Sequence, residues 1–422
     1  MRRNLRTVRP MAPLDESLQA EIKVKRPPKR WQRPFFWVTV LAGALVVVCL
    51  MRLCLISWPL VEGNARPPAD GYRALKGLFF LRVSDADGRF TGRQGVEEAF
   101  RQGYQWLVAA DANPARPADL VNEAPFPLVA ASLRQNSDGR YLLFGGTEPL
   151  PLLSGRRLED IRGAGGVVVL DALGETNAVW REREVQSFDG ILLLDLPRLP
   201  SADSAWDALC TGIAALMRLP YRHLAVARRP VEALAHLDNL NRRRHSLLFC
   251  GAGTDESGAA AWPALASYVL VPDSQGPWYP REIADALRAG RHYCAMPFLG
   301  DPSGFRFFAA RKDGTLAGLM GDSLILEPGL LLIADLNLPS QAPGITLRLM
   351  LDGLEVTRAT GGRLDFRVEK PGAYRIEATL RAPRIPFGEI DATFILSNPI
   401  FLSAPGASAP PATKAAQPKR AR

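Results

Sequence analysis

Between Gly77 and Asn113 the chain reads GLFFLRVSDADGRFTGRQGVEEAFRQGYQWLVAADAN, and the order of signals in this stretch leaves few folds open. The apolar run Leu78 to Leu81, continued by Val83, has the length of a buried parallel strand. Asp87-Gly88 turns the chain. Thr91 and Gln94 stand at capping-box spacing, Val96, Ala99 and Phe100 supply one apolar helix face, and Gly103 stops the helix. Tyr104 to Ala109 is then a second strand, so the stretch is one βαβ unit.

The same alternation continues. Tyr141 to Phe144, Val167 to Leu170, Ile191 to Leu194 and Leu247 to Cys250 are short apolar runs separated by helix-length segments, which predicts parallel strands with crossover helices and a barrel of βα units. Further on, Leu330 to Leu336, Ile345 to Leu351, Leu364 to Val368 and Tyr374 to Leu380 alternate with period two between Asp-Gly, Gly-Gly and Pro-Gly turns. That spacing predicts a small antiparallel β-sandwich.

Residue by residue, the opening unit resembles the start of the PHP (polymerase and histidinol phosphatase) family of metal-dependent hydrolases, GDLHVHTSYSDG followed by a helix and a strand ending in TDHN. Gly77, Ser84, Asp87-Gly88, Asp111 and Asn113 match. Where that family carries metal-binding histidines, this chain has Phe80, Arg82 and Ala112. Gly145-Gly146-Thr147-Glu148 is similar to the strand ending in G-x-E, GGVVVLDA to a strand ending in His-Pro with Asp171 at the His, and DGILLLDL to the segment that ends in Asn. LLFCGAGTDES is similar to the strand before Gly-Ser-Asp-Ala-His, with Asp255 at the Asp or near the His depending on register. EIADALRAGRHYCAMP and Ser397-Asn398-Pro399-Ile400 resemble segments of the CehA/McbA-like periplasmic branch. The resemblance covers residues 73 to 402. It implies an α/β fold, a PHP-like distorted (β/α)7 barrel followed by a small C-terminal antiparallel β-sandwich, with the metal site degenerate.

The expected domains are a basic cytoplasmic segment (1–34), a transmembrane helix (35–61), a linker (62–72), the barrel (73–325), the sandwich (326–402) and a disordered Ala/Pro/Lys-rich tail (403–422). The 422 residues carry a formal charge of +9. Ten Lys/Arg against three Asp/Glu lie before residue 35, and four more basic residues follow residue 410. With these and Arg52 set aside, the rest is net negative, which argues against nucleic acid as a partner. Phe35 to Met51 is uncharged and apolar and resumes after Arg52 to Val61, long enough for a bilayer span, and the basic flank puts its N-terminus in the cytoplasm. A cleaved signal peptide ending near Gly63 and Ala65 is the competing reading, disfavoured by the long basic segment and apolar core. The expected location is the inner membrane, single-pass, with the bulk periplasmic.

Cys210, Cys250 and Cys294 lie outside the span, match no zinc spacing and allow at most one disulfide; small buried residues is the simpler expectation. The four histidines, His223, His236, His245 and His292, fall at no expected ligand position and read as surface or packing residues. Arg242 to Arg244 reads as a solvated helix end, and the Gly-rich stretch 163 to 166 lacks the lysine of a P-loop. Asp87, Asp111, Glu148, Asp171 and Asp255 are expected at one end of the barrel, either as oxygen ligands for Mg²⁺ or Ca²⁺ or as turn formers and caps. Arg82 favours the second reading, because a guanidinium repels cations and pairs with carboxylates such as Asp111 or Glu148.

The expectation is therefore a non-catalytic binding or scaffold protein with no catalytic or metal residue and no cofactor. Its partners are expected to be the membrane and a small anionic ligand or an envelope protein. The alternatives are a hydrolase or phosphoesterase using the remaining carboxylates with a divalent metal (Mn, Fe, Zn or Mg), and a structural partner in an envelope complex.

Overall fold

The computed structural model describes residues 32–55, 70–83, 92–113, 115–136, 139–145, 165–171, 188–195, 227–251, 264–273, 277–338, 344–383 and 388–406, with positions 68, 161, 162, 212, 223 and 224. Most of the expected cytoplasmic segment, most of the linker and nearly all of the tail lie outside these residues. The chain divides into two compact units, 1–56 and 57–422.

Among the described residues of the first unit is the helix α1 (Gln32–Leu55), with Phe36, Trp37, Leu41 and Leu45 exposed on its surface. Among the described residues no helix is long and apolar enough to cross a membrane. In α1 the side chains are described only at 36–48, 50 and 51, and the expected continuation from 56 to 61 is not among the described residues.

In the second unit seven strands close a barrel: β1 (Tyr72–Arg82), β2 (Trp106–Asp111), β3 (Leu128–Asn136), β4 (Gly139–Gly145), β5 (Gly166–Asp171), β6 (Gly190–Asp195) and β7 (Leu247–Gly251). Phe79 opposite Gly251 makes the closing β1–β7 contact. Helices α2 (Gly92–Arg101), α3 (Ala115–Val121) and α4 (Val231–Asn241) follow β1, β2 and β6. β1, β2 and β3 are parallel, as are β5, β6, β7 and β1. The uniform βα alternation read from the sequence fails at β4, which is antiparallel to both β3 and β5. Its cause is local: only two residues separate β3 from β4, a hairpin-length connection, whereas a parallel crossover needs a dozen or more.

Aromatic side chains fill the interior. Phe79 lies 5.6 Å from Phe144 and 4.9 Å from Phe249 between ring centroids, and Val108, Ala131, Leu142, Val167 and Val169 pack in the same core. Burial of each such ring contributes about 2–3 kcal/mol. Gly77 is required by packing, since a Cβ there would sit 1.8 Å from the Trp106 ring, whose Nε1 donates to Leu75 O at 2.8 Å.

The strand β8 (Ala266–Pro272) runs antiparallel to β1 outside the barrel. Helix α5 (Pro280–Arg288) starts at a proline, with Tyr279 N–H donating to the Glu282 carboxylate, and it buries Ile283 and Leu287 in the barrel core. Gly290, at φ 69°, ends it and leads into β9 (His292–Ala295).

The remaining strands are β10 (Arg306–Ala310), β11 (Leu316–Leu319), β12 (Ser323–Ile325), β13 (Leu331–Asp335), β14 (Ile345–Leu351), β15 (Leu354–Thr360), β16 (Arg363–Arg367), β17 (Gly372–Pro383), β18 (Glu389–Ser397) and β19 (Ile400–Ser403). One sheet runs β12-β19-β17-β18-β9 and joins the barrel through β8, with β14 and β15 attached at β17; the other is β11-β10-β13-β16. The β-rich part is thus continuous with the barrel sheet.

The strand β17 is buried over most of its length, charged residues included. Arg375 forks onto Asp238 of α4 at 2.9 and 2.8 Å and also donates to Glu377, while Glu377 accepts both Arg229 nitrogens at 2.7 and 2.9 Å. Two guanidinium groups and two carboxylates therefore balance inside the protein. Burial alone would raise the pKa of Glu377, but the hydrogen bonds and charges of Arg229 and Arg375 outweigh it and hold the carboxyl below its ordinary range.

Candidate functional site

The parallel strands end together at one mouth of the barrel, the end at which βα barrels assemble their sites. β1 delivers Phe80 and Arg82 there, and β2 delivers Asp111. Phe80 is fully buried and has φ 69°, a conformation costly for a residue with a bulky side chain. It belongs to a bulge, since pairing with β2 slips between Leu78 and Leu81. The bulge leaves Phe79 and Phe80 both in the interior cluster, and the position expected for a metal-binding nitrogen holds a ring without a lone pair. Arg82 ends the strand opposite Ala110.

Asp111 is buried at the end of β2. Its Oδ1 accepts Asn113 N–H at 2.7 Å, and Asn113 Oδ1 accepts Ala115 N–H at 3.2 Å where α3 begins. These two residues turn the chain and start a helix, as short polar side chains do at strand ends. The cation beside Asp111 is Arg116, with Nη1 3.7 Å from Oδ2, so the Arg82–Asp111 pair expected from the sequence is not made. Oδ2 itself has no hydrogen bond, and neither does Ser132 Oγ, which lies opposite Asp111 on β3. Ala112 is exposed.

Asp171 ends β5 directly opposite Arg140 of β4. Asp87, Glu148 and Asp255 lie outside the described residues. β4 starts at the mouth and finishes at Gly145, opposite Gly166, at the far end.

Where the resemblance expects metal-binding histidines, positions 80, 82 and 112 carry a phenyl ring, a guanidinium and a methyl group, and Asp111 beside them supplies one carboxylate oxygen without a hydrogen bond. Among the described residues no group of three His, Cys, Asp or Glu side chains converges.

Three of the four histidines lie against aromatic rings. His245 stacks on Phe401 at 4.1 Å and its Nδ1 meets Ser323 Oγ at 2.9 Å; His223 is buried 5.8 Å from the Phe298 ring. His292 is fully buried 4.6 Å from Phe249, its Nε2 2.8 Å from Leu248 O, and burial lowers its pKa to about 4. Beside it Cys250 of β7 and Cys294 of β9 form a disulfide, Cα to Cα 5.9 Å. The simpler expectation of buried free cysteines fails for this pair, because β9, paired antiparallel with β8, lies beside β7.

No protein-family model and no curated protein matches this chain. Among solved structures it is similar to a two-domain protein from Bacteroides vulgatus containing a predicted PHP-like metal-dependent phosphoesterase. The identity is 12%, the TM-score 0.39, and the match covers 81% of this chain and 100% of that one.

Proposed function

We propose that this chain is a membrane-tethered, extracytoplasmic binding or scaffold protein, built on a barrel of the PHP type whose mouth has exchanged metal chemistry for fixed side-chain charge. The observation that carries the reading is the end of β1, where Phe80 fills the interior and Arg82 puts a permanent cation where a metal ligand is expected. A small anion near Arg82 is the ligand this charge favours. The apolar surface of α1 supports a tether, and the Cys250–Cys294 bridge supports an oxidising compartment, where such bonds persist.

Metal analysis of the full-length chain, purified in detergent from cells supplied with Mn, Fe and Zn, tests the proposal together with a p-nitrophenyl phosphate assay. Metal far below one ion per chain and no turnover are expected. One ion per chain with turnover abolished by Asp111→Ala would overturn the reading in favour of a hydrolase.

A further inference from the structure

At the opposite end of the barrel, β5, β6 and β7 begin, and the turn from Asn241 to Ser246 joins α4 to β7. Arg242 and Arg243 are exposed here, as a solvated charge run requires. Arg244 is different. Its Nε, Nη1 and Nη2 are all shielded from solvent and none has an acceptor. Five N–H donors in a rigid fork are thus left unused. In the same turn Asn241 Nδ2 and Ser246 Oγ are also buried without a partner, although Asn241 Oδ1 accepts Ser246 N–H at 2.8 Å.

The nearby carboxylate is already committed. Asp189 Oδ1 accepts Arg162 Nε at 2.8 Å and Oδ2 accepts Val168 N–H at 2.8 Å. Both oxygens of the carboxylate near Arg244 are thus engaged, and the Arg244 guanidinium makes no hydrogen bond to it. Burial first, and then the charge of Arg162, lower the pKa of Arg244 to about 10, with Asp189 opposing, so the group is still charged at neutral pH. An unpaired buried cation costs several kcal/mol, and unsatisfied buried groups in a folded protein call for a water or an ion.

We propose that the Asn241–Ser246 turn, with Arg162 beside it, is a binding site for a small oxyanion, a phosphate or a carboxylate. The unused groups are a guanidinium, an amide nitrogen and a hydroxyl, all able to donate, which is what an acceptor-only ligand needs. The planar fork of Arg244 fits two oxygens of one anion, and the 43% exposed side chain of Arg162 marks the side of entry. The site is separate from the mouth, since the six residues of β6 put about 20 Å between them.

Thermal unfolding of the full-length chain in detergent tests this with sodium phosphate, sodium acetate, and sodium chloride at matched ionic strength. Phosphate or acetate is expected to raise the midpoint with concentration while chloride does not, and the stronger of the two names the ligand class. Arg244→Met is expected to remove the anion-specific rise and to weaken calorimetric affinity about tenfold or more. Arg244→Lys, which keeps charge without the fork, falls between. The proposal is overturned if neither anion exceeds chloride on the wild type, the result expected were water alone to fill the site. It is equally overturned if Arg244→Met responds as the wild type does. Should that variant fail to fold, Arg244→Lys with Ser246→Ala makes the same comparison, and an unchanged anion response in both overturns it.

Discussion

Asn398 takes both backbone polar groups of Leu248: its Oδ1 accepts Leu248 N–H at 2.7 Å and its Nδ2 donates to Leu248 O at 3.2 Å. The same Nδ2 donates to His292 O at 2.9 Å. One fully buried amide therefore satisfies the barrel strand β7 and the strand β9 from the end of β18. Asn398→Leu keeps the volume and removes every one of these contacts, leaving Leu248 N–H buried without an acceptor. A loss of about 3 kcal/mol is expected from urea unfolding. A change within 0.5 kcal/mol would show that the junction is held by packing alone.

His292 sets a pH dependence. Its pKa falls from 6.5 to about 4 on folding, so the unfolded chain binds the extra proton between those values. The contribution is complete above pH 6.5, declines as pH falls through the window, and is gone below about 4. The shift corresponds to about 3 kcal/mol. Chemical denaturation from pH 7.5 to 4 is expected to show a slope that flattens in His292→Gln. An identical slope in that variant would place the titration elsewhere.

The Cys250–Cys294 bridge closes a loop with a sequence separation of 44. Loop-closure entropy gives about 4 kcal/mol as its upper contribution. Reduction, or Cys294→Ala, is expected to lower the unfolding midpoint, and peptide mapping without reductant should recover the two cysteines linked. Free alkylation of either in the native, unreduced protein would count against the bond.

Glu377 holds two arginines at once. Glu377→Ala leaves Arg375 with Asp238 and strips the bidentate partner from Arg229, and a cost of about 3–5 kcal/mol is expected from denaturant unfolding. Replacing Arg229, Asp238, Arg375 and Glu377 together by apolar residues of similar size is expected to recover much of that loss. Failure to recover would mean that the charges direct how α4 docks on β17 and do more than cancel one another.

Six of the seven barrel strands were legible because apolar runs of four to six residues between Gly and Asp signals have few other uses, while β3 was not read; Gly77, Asp111 and Asn113 kept the roles their types suggest. Strand direction was not legible, since Tyr141 to Phe144 reads the same either way; only the two-residue link after Asn136 carried that information. The orphaned Arg244 was hidden for a related reason. Three consecutive arginines look alike in sequence, and only the fold turns one of them inward. Asn398 was visible as part of a motif, but a lone Asn before Pro carries no sign that it will serve two distant strands.

The reversed β4 also limits what substitution can restore. Histidines returned to positions 80, 82 and 112 would arrive at a mouth whose fourth wall presents the start of a strand. Re-creating a ring of ligands would require the backbone between Leu128 and Gly166 to be re-threaded. The barrier is one of chain path, and a scan of point variants, however large, does not cross it.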